Sequence, residues 1–265
     1  MKSIIKSAIL FSLLIAFTAC SSDDDVNNLD ASVSAGSLDI TFNNMVGDED
    51  FQLDKEYSVN GEDVSLSQVR YWISNIKLIN DDGESIEIPE SYFLIEETGA
   101  ISIQDGAYEY PAKNRDVINI ASVPGGTYTD IEFSVGVDQV YNDNLSLQAG
   151  ELSQLNGMTN ISWMWHTSYI FASIKGNKAG NDNNLVFETG LNDNYKTVTI
   201  DLEDALQIDG TSTGKIQLKA DIAAILDGID IEETPVIGAA TPEAMELMAT
   251  NFETKVFTWM SLSNE

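Results

Sequence analysis

The chain has 265 residues, with 43 Asp+Glu against 13 Lys+Arg, one histidine, one cysteine and a formal net charge of −30. So acidic a surface repels nucleic acid and anionic membrane faces, because binding them depends on Lys and Arg neutralising phosphates. One cysteine excludes an internal disulfide, and one histidine confines any Ser-His-Asp or Cys-His chemistry to the surroundings of His166. No phosphate-cradling Gly-rich loop or zinc-type Cys/His spacing is present, and with this many acids, carboxylate pairs of the glycosidase kind arise by chance. The composition points to a binding protein rather than an enzyme, with cations or solvent as the partners its charge admits.

Residues 1–19 carry Lys2 and Lys6, an uncharged apolar run over 7–17, and the small residues Thr18 and Ala19 before Cys20. This is the pattern of a secretory signal peptide. About eleven apolar residues are too few to cross a ~30 Å bilayer core, and no later run reaches the ~18 that a spanning helix needs. Phe17, Thr18, Ala19 and Cys20 resemble the lipobox at which bacterial lipoproteins are lipidated and cut. The resemblance implies a membrane anchor at Cys20, each acyl chain contributing about 0.8 kcal/mol per buried CH2. Residues 20–36 continue with Ser21, Ser22 and three aspartates and hold few large apolar side chains, which predicts an acidic disordered tether. Serine followed by an aspartate run resembles the signal with which Bacteroidetes-type bacteria display lipoproteins. The expected location is the outer membrane, on the cell surface, with the periplasmic face as the alternative.

Residues 37–265 read as one domain. Apolar residues recur with period two over 37–42, 73–79, 86–88, 92–95 and 130–137, and strands are also expected over 163–174, 185–188, 196–202 and 214–218. Turn signals lie at 60–61, 81–83, 124–126 and 180–183. Many short strands joined by tight turns predict an all-β chain folded as an antiparallel β-sandwich. One or two short helices are expected near the C-terminus. In the first, over 221–227, Ile222, Ile225 and Leu226 share a face before the Gly228 stop. The second begins at Thr241 as N-cap, with Pro242 and Glu243 in its first turn, and runs to Phe252. A last strand is expected over 255–262.

The segment 161–171 gathers Trp163, Met164, Trp165, His166, Tyr169 and Phe171. On a strand, Trp163, Trp165 and Tyr169 would share one face and Met164 and His166 the other. Only a strand end or bulge would let Trp165 and His166 converge on one ion. The packing alternative is two tryptophans stacked between sheets and a hydrogen-bonded scaffold histidine. Trp72 and Trp259 read as core. The loops 138–144, 180–184 and 192–194 hold oxygens that suit Ca2+, but none has EF-hand spacing.

Trp163-x-Trp165 followed by Tyr169 and Phe171 resembles the signature of the MbnP-like, methanobactin-associated copper-binding family. Residues 69–78, reading Val-Arg-Tyr-Trp-Ile-Ser-Asn-Ile-Lys-Leu, are similar to that family's Leu-Arg-Tyr-Tyr-Ile-Ser-Asn-Ile-Lys-Leu strand. Residues 131–138, with Asn142, resemble its Phe-x-x-Gly-Val-Asp segment. The 221–227 helix and the late Asn251 and Phe252 also fit, so the resemblance spans residues 40–257.

This resemblance implies a β-sandwich that binds copper, with histidine and, in some members, a tryptophan oxidised to kynurenine by a di-haem peroxidase-like partner. The implied metal ligands here are His166 and Glu188, with Trp163, Trp165 and Met164 nearby. Imidazole and thioether suit copper. The chain departs from the pattern where related members read Phe-x-Tyr-His-Thr-Gly: the histidine is Glu188, whose carboxylate favours Cu(II) or a harder cation over Cu(I). Ser168 replaces a glycine, and Ile161 a methionine. Two further readings stay open: a structural or adhesion lipoprotein that has lost the metal, and a surface protein that binds calcium or glycan through acidic loops.

Overall fold

The computed structural model describes residues 34–103, 106–160, 167–180 and 184–264. The leader at 1–19, Cys20 and most of the tether lie outside them. The described chain is mostly strand, in a sandwich-like arrangement of sheets. The smaller sheet runs Val117–Val123, Gly36–Val46, Thr213–Asp221, Phe257–Asn264, with Glu49–Asp50 paired to the end of Gly36–Val46. The larger runs Lys196–Ile208, Gly126–Val135, Glu62–Asn80, Ser168–Lys178, Asn184–Gly190, Val236–Ile237. Along the other edge of Glu62–Asn80 lie Glu56–Val59, Tyr92–Thr98 and Ser85–Glu87, and Lys113–Arg115 pairs with Tyr92–Thr98. The expected antiparallel pairing dominates. Two pairs are parallel, Gly36–Val46 with Thr213–Asp221 and Asn184–Gly190 with Val236–Ile237.

Alternation along Glu62–Asn80 sorts its side chains between two environments. Val69, Tyr71 and Ile73 enter the core between the sheets, where Phe42 of the small sheet meets Phe133 at 5.4 Å and Phe257 meets Phe133 at 5.1 Å, both edge-on. Each such aromatic pair is worth about 0.5–1.5 kcal/mol beyond its area. Tyr71 is fully buried, and its hydroxyl donates to Asn44 Oδ1 at 2.9 Å. Gln68, Arg70 and Trp72 alternate onto the outer face. There Trp72 belongs to a second apolar cluster with Leu94, Val137, Leu145, Leu152, Met158, Tyr169 and Phe171.

Several elements differ from expectation, among them the following. The strand expected over 130–137 stops at Val135, since Gly136 turns the chain at φ +118°. The helix expected over 221–227 is a 3-10 turn, Ala223–Leu226, whose first amides are capped by Asp221 Oδ1, and Gly228 follows at φ +79°. Pro242–Asn251 is the second helix, but the Thr241 hydroxyl does not cap it; it accepts the Gly238 N–H at 3.0 Å instead. The helix widens into a π-turn, Phe252–Val256, so the last strand starts at Phe257 rather than 255. Trp72 is fully buried, whereas Trp259 is half-buried against the core.

Candidate functional site

The outer face of the larger sheet carries a transverse row of polar residues. Glu188, Ser173, Arg70, Glu96 and Arg115 stand opposite one another on four neighbouring strands and Lys113–Arg115. At its centre Arg70, 1% exposed, donates from Nε and Nη2 to Glu96 Oε2 at 3.1 and 2.9 Å and from Nη2 to the Asn156 carbonyl at 2.8 Å. Tyr110 OH donates to the other Glu96 oxygen at 2.6 Å, and its ring lies 4.9 Å from the guanidinium. Burial, then that hydrogen bond, holds the Tyr110 hydroxyl protonated well beyond the usual phenol range.

Glu188 closes one end of the row. Its Oε1 accepts from Ser173 Oγ at 3.1 Å and lies 3.1 Å from Lys175 Nζ, while Gln68 Nε2 donates to Ser173 Oγ at 2.9 Å. A cation at Glu188 would therefore share its carboxylate with an ammonium already there. Ser173 is five residues along its strand from Ser168, about 16 Å at the rise of a strand. Glu188 is thus set well back from the start of Ser168–Lys178.

The motif residues meet closer to that start. Asn75 occupies a bulge in Glu62–Asn80 at φ +50°, a conformation Asn tolerates better than most residues. Its Nδ2 donates to Asp138 Oδ2 at 3.2 Å and to Tyr195 OH at 2.6 Å. Tyr92 OH donates to the same Asp138 oxygen, and Asp138 Oδ1 caps the helical turn Gln139–Asn142 through the Val140 N–H at 3.1 Å. Burial, then the bond to Asp138, raises the Tyr92 hydroxyl far above its ordinary pKa. Gly136 allows this junction: its N–H reaches the Trp72 carbonyl at 3.1 Å, and a Cβ there would lie 2.6 Å from the Phe171 ring.

Asn142, fully buried, carries the junction to the strand that follows residues 161–166. Its Oδ1 accepts the Tyr169 N–H at 2.8 Å, and its Nδ2 donates to Asn192 Oδ1 at 2.8 Å. Asn192 follows Leu191, which is held at φ +70° and ψ +145°, a region nearly reserved for glycine that costs about 1–3 kcal/mol. Thr159–Asn160 pairs antiparallel with Ser168–Tyr169, so residues 161–166 connect two hydrogen-bonded neighbours. Among the described residues, three buried polar atoms at this place find no hydrogen-bond partner: Trp72 Nε1, Ser168 Oγ and Tyr169 OH. Trp72 and Tyr169 meet edge-on at 5.9 Å.

Of the implied ligands, Trp163, Met164, Trp165 and His166 lie outside the described residues, and only Glu188 lies within them. Among the described residues no three His, Cys, Asp or Glu side chains group as for a metal ion. In the loops 138–144 and 192–194 several oxygens that suited calcium accept from neighbours, Asp138 from Tyr92 and Asn75, Asn192 from Asn142, and Asp143 from Asn192, while residues 181–183 of the third loop lie outside the described residues. The donor chemistry that fits copper, imidazole and thioether, thus resides in His166 and Met164, while Glu188 fits it poorly. Sequence reasoning missed the second-tier residues Asn75, Asp138, Tyr92 and Tyr195 as a connected group. The signal was present in the two motif stretches 69–78 and 131–142, which the fold brings together.

Comparison with known proteins bears on this arrangement. No curated protein matches the chain. Among solved structures, MbnP from Methylosinus trichosporium aligns at 15% sequence identity and a TM-score of 0.49, covering 88% of this chain and 99% of that one. The MbnP family model matches residues 35–245, a span that contains both motif stretches, the 161–171 segment and Glu188. The chain therefore belongs to the MbnP family.

Proposed function

We propose that the protein is a lipid-anchored envelope protein that binds a copper ion through its MbnP domain, acting by binding rather than catalysis. The observation that carries this reading is the family match over residues 35–245. Two structural features support it. The motif residues Asn75, Asp138 and Asn142 are hydrogen-bonded into one framework that fixes Tyr169, three residues after His166. Buried polar groups of Trp72, Ser168 and Tyr169 that have no partner among the described residues gather at the same place, and unmet hydrogen bonds are more common at working sites than elsewhere.

In this reading His166 is the principal donor, Met164 the second, and Trp163 or Trp165 lies nearby, indole or its oxidised form. Glu188, held by Ser173 and Lys175 well back from the start of Ser168–Lys178, stands outside this donor set, and the imidazole of His166 suits Cu(II). Copper supplies a Lewis-acidic, redox-active centre when bound; the chain supplies the donors and the rigid frame behind them. A di-haem peroxidase-like enzyme is the partner proposed to oxidise a tryptophan. The anchor at Cys20 places the domain outside the outer membrane, and the acidic tether spaces it from the lipid.

Equilibrium dialysis tests the copper reading. A Cys20→Ser variant, lacking the anchor and the only thiol, should retain close to one equivalent of Cu(II), and His166→Ala in that background should lose most of it. Equal retention by the two would overturn the reading. Mass spectrometry of tryptic peptides spanning 161–175 from native material tests the oxidised tryptophan: unmodified peptides throughout would remove the partner enzyme.

A further inference from the structure

We infer that the outer face carries a second site, separate from any metal, which binds a neutral saccharide. Beside the Asp138 junction the face opens into a cleft of about 560 Å3, within the ~300–1,000 Å3 of small-ligand sites. Tyr92, Tyr141 and Tyr195 line it, with the Tyr92 and Tyr141 rings 5.0 Å apart and inclined by 57°. Tyr141 and Tyr195 are half-buried, so part of each ring stays open to a ligand. Aromatic faces of this kind pack against the C–H face of a pyranose while the hydroxyl end stays polar.

The polar lining offers donors and acceptors side by side. Lys77 Nζ lies 3.0 Å from Glu132 Oε1, which leaves further ammonium N–H groups and the second carboxylate oxygen available to a ligand. Ser134 Oγ and Thr197 Oγ1 share a hydrogen bond at 3.0 Å, leaving one hydroxyl proton and several lone pairs. Lys77 neutralises Glu132, which leaves Glu87 and Glu90 as the unbalanced charges of the lining. An anion would meet Glu87 and Glu90 together, and a metal ion finds no group of three ligating side chains among the described residues. Closely spaced donors and acceptors beside aromatic rings are the complement of a hydroxyl-rich, uncharged ring. The site is also preorganised: the Asn75 bulge is pinned to Tyr195 and Asp138 before any ligand arrives.

Isothermal titration of the Cys20→Ser protein against cellotetraose, laminaritetraose, xylotetraose and mannotetraose, each up to about 10 mM, tests this site. At least one should bind, with Tyr141→Ala and Lys77→Met each weakening it about tenfold or more while Lys77→Met keeps the melting temperature within about 2 °C. His166→Ala should leave saccharide binding unchanged, which separates this site from the copper reading. No binding by any of the four, or binding unaffected by both cleft substitutions, overturns the inference. So does binding of arginine ethyl ester without any saccharide, which would assign the cleft to an organic cation.

Discussion

Asn142 Oδ1 accepts the backbone N–H of Tyr169 at 2.8 Å, and the same side chain donates to Asn192. This one buried amide joins the turn after Gly126–Val135, the start of Ser168–Lys178 and the turn after Asn184–Gly190. Asn142→Ala should cost about 2–6 kcal/mol, since it leaves a buried N–H and an amide oxygen unpaired at about 1–3 kcal/mol each. Asn142→Asp keeps the acceptor and should cost less. Urea unfolding followed by tryptophan fluorescence measures both, and an alanine variant as stable as the parent would sink the assignment.

Arg70 and Glu96 are a desolvated ion pair, with side chains 1% and 5% exposed. Arg70→Met leaves a buried carboxylate without its guanidinium and should cost about 3–5 kcal/mol. Arg70→Met combined with Glu96→Leu should regain most of that loss, less the share owed to the unpaired Tyr110 hydroxyl. A double variant no more stable than the single one would mean the pair contributes more than its own desolvation.

Stability should be lost at both extremes of pH. Tyr92 has a raised pKa through burial and its bond to Asp138, so the folded state holds the proton more tightly than the unfolded chain. Its contribution is complete below the unfolded value near 10 and fades as pH rises beyond it. On the acid side, the amides and hydroxyls of Thr211 and Ser212 lower Asp209 to about 2. That contribution is present above about 4 and disappears as pH falls toward 2. Tyr92→Phe should flatten the alkaline limb and Asp209→Asn the acid limb of melting temperature against pH. A limb of unchanged slope would exclude the residue concerned.

Gly136 lies at φ +118° with the Phe171 ring where a Cβ would stand. Gly136→Ala should therefore destabilise by about 3 kcal/mol or more, combining backbone strain with a displaced ring. Gly83→Ala, at φ +82° with nothing within 4 Å, isolates the backbone part and should cost no more than about 1–2 kcal/mol. Thermal melts of the two variants separate clash from strain.

Metabolic labelling with an alkynyl fatty acid should mark the full chain and fail with Cys20→Ala. Protease added to intact cells should then release the domain if it faces outward. Protection until the outer membrane is opened would place it on the periplasmic face.

Much of the fold was legible because half-buried strands announce themselves by period two, as Leu38, Ile40 and Phe42 do. The first half of Glu62–Asn80 did not, because its outer face buries Gln68, Arg70 and Trp72 under later segments, so polar and apolar residues are buried alike and the alternation vanishes. Val117–Val123 was missed for the opposite reason: a short strand with Asn119, Ala121 and Ser122 exposed gives little contrast. At the site, His166 and its neighbours stood out by residue type alone. Asn75, Asp138 and Asn142 did not, since an asparagine or aspartate between hydrophobic runs reads as a turn until the fold shows what its side chain holds.

Glu62–Asn80 pairs directly with five other strands, from Glu56–Val59 to Ser168–Lys178. Its partners are spread over more than a hundred residues of sequence, so contacts of long separation must close before any of them is secure, and such chains fold slowly, in milliseconds to seconds. The edge of this strand over residues 64–71 stays unpaired until Ser168–Lys178 is in place, well after Gly126–Val135 can cover residues 73–80. An open edge of that length invites pairing with another chain until its own partner strand covers it.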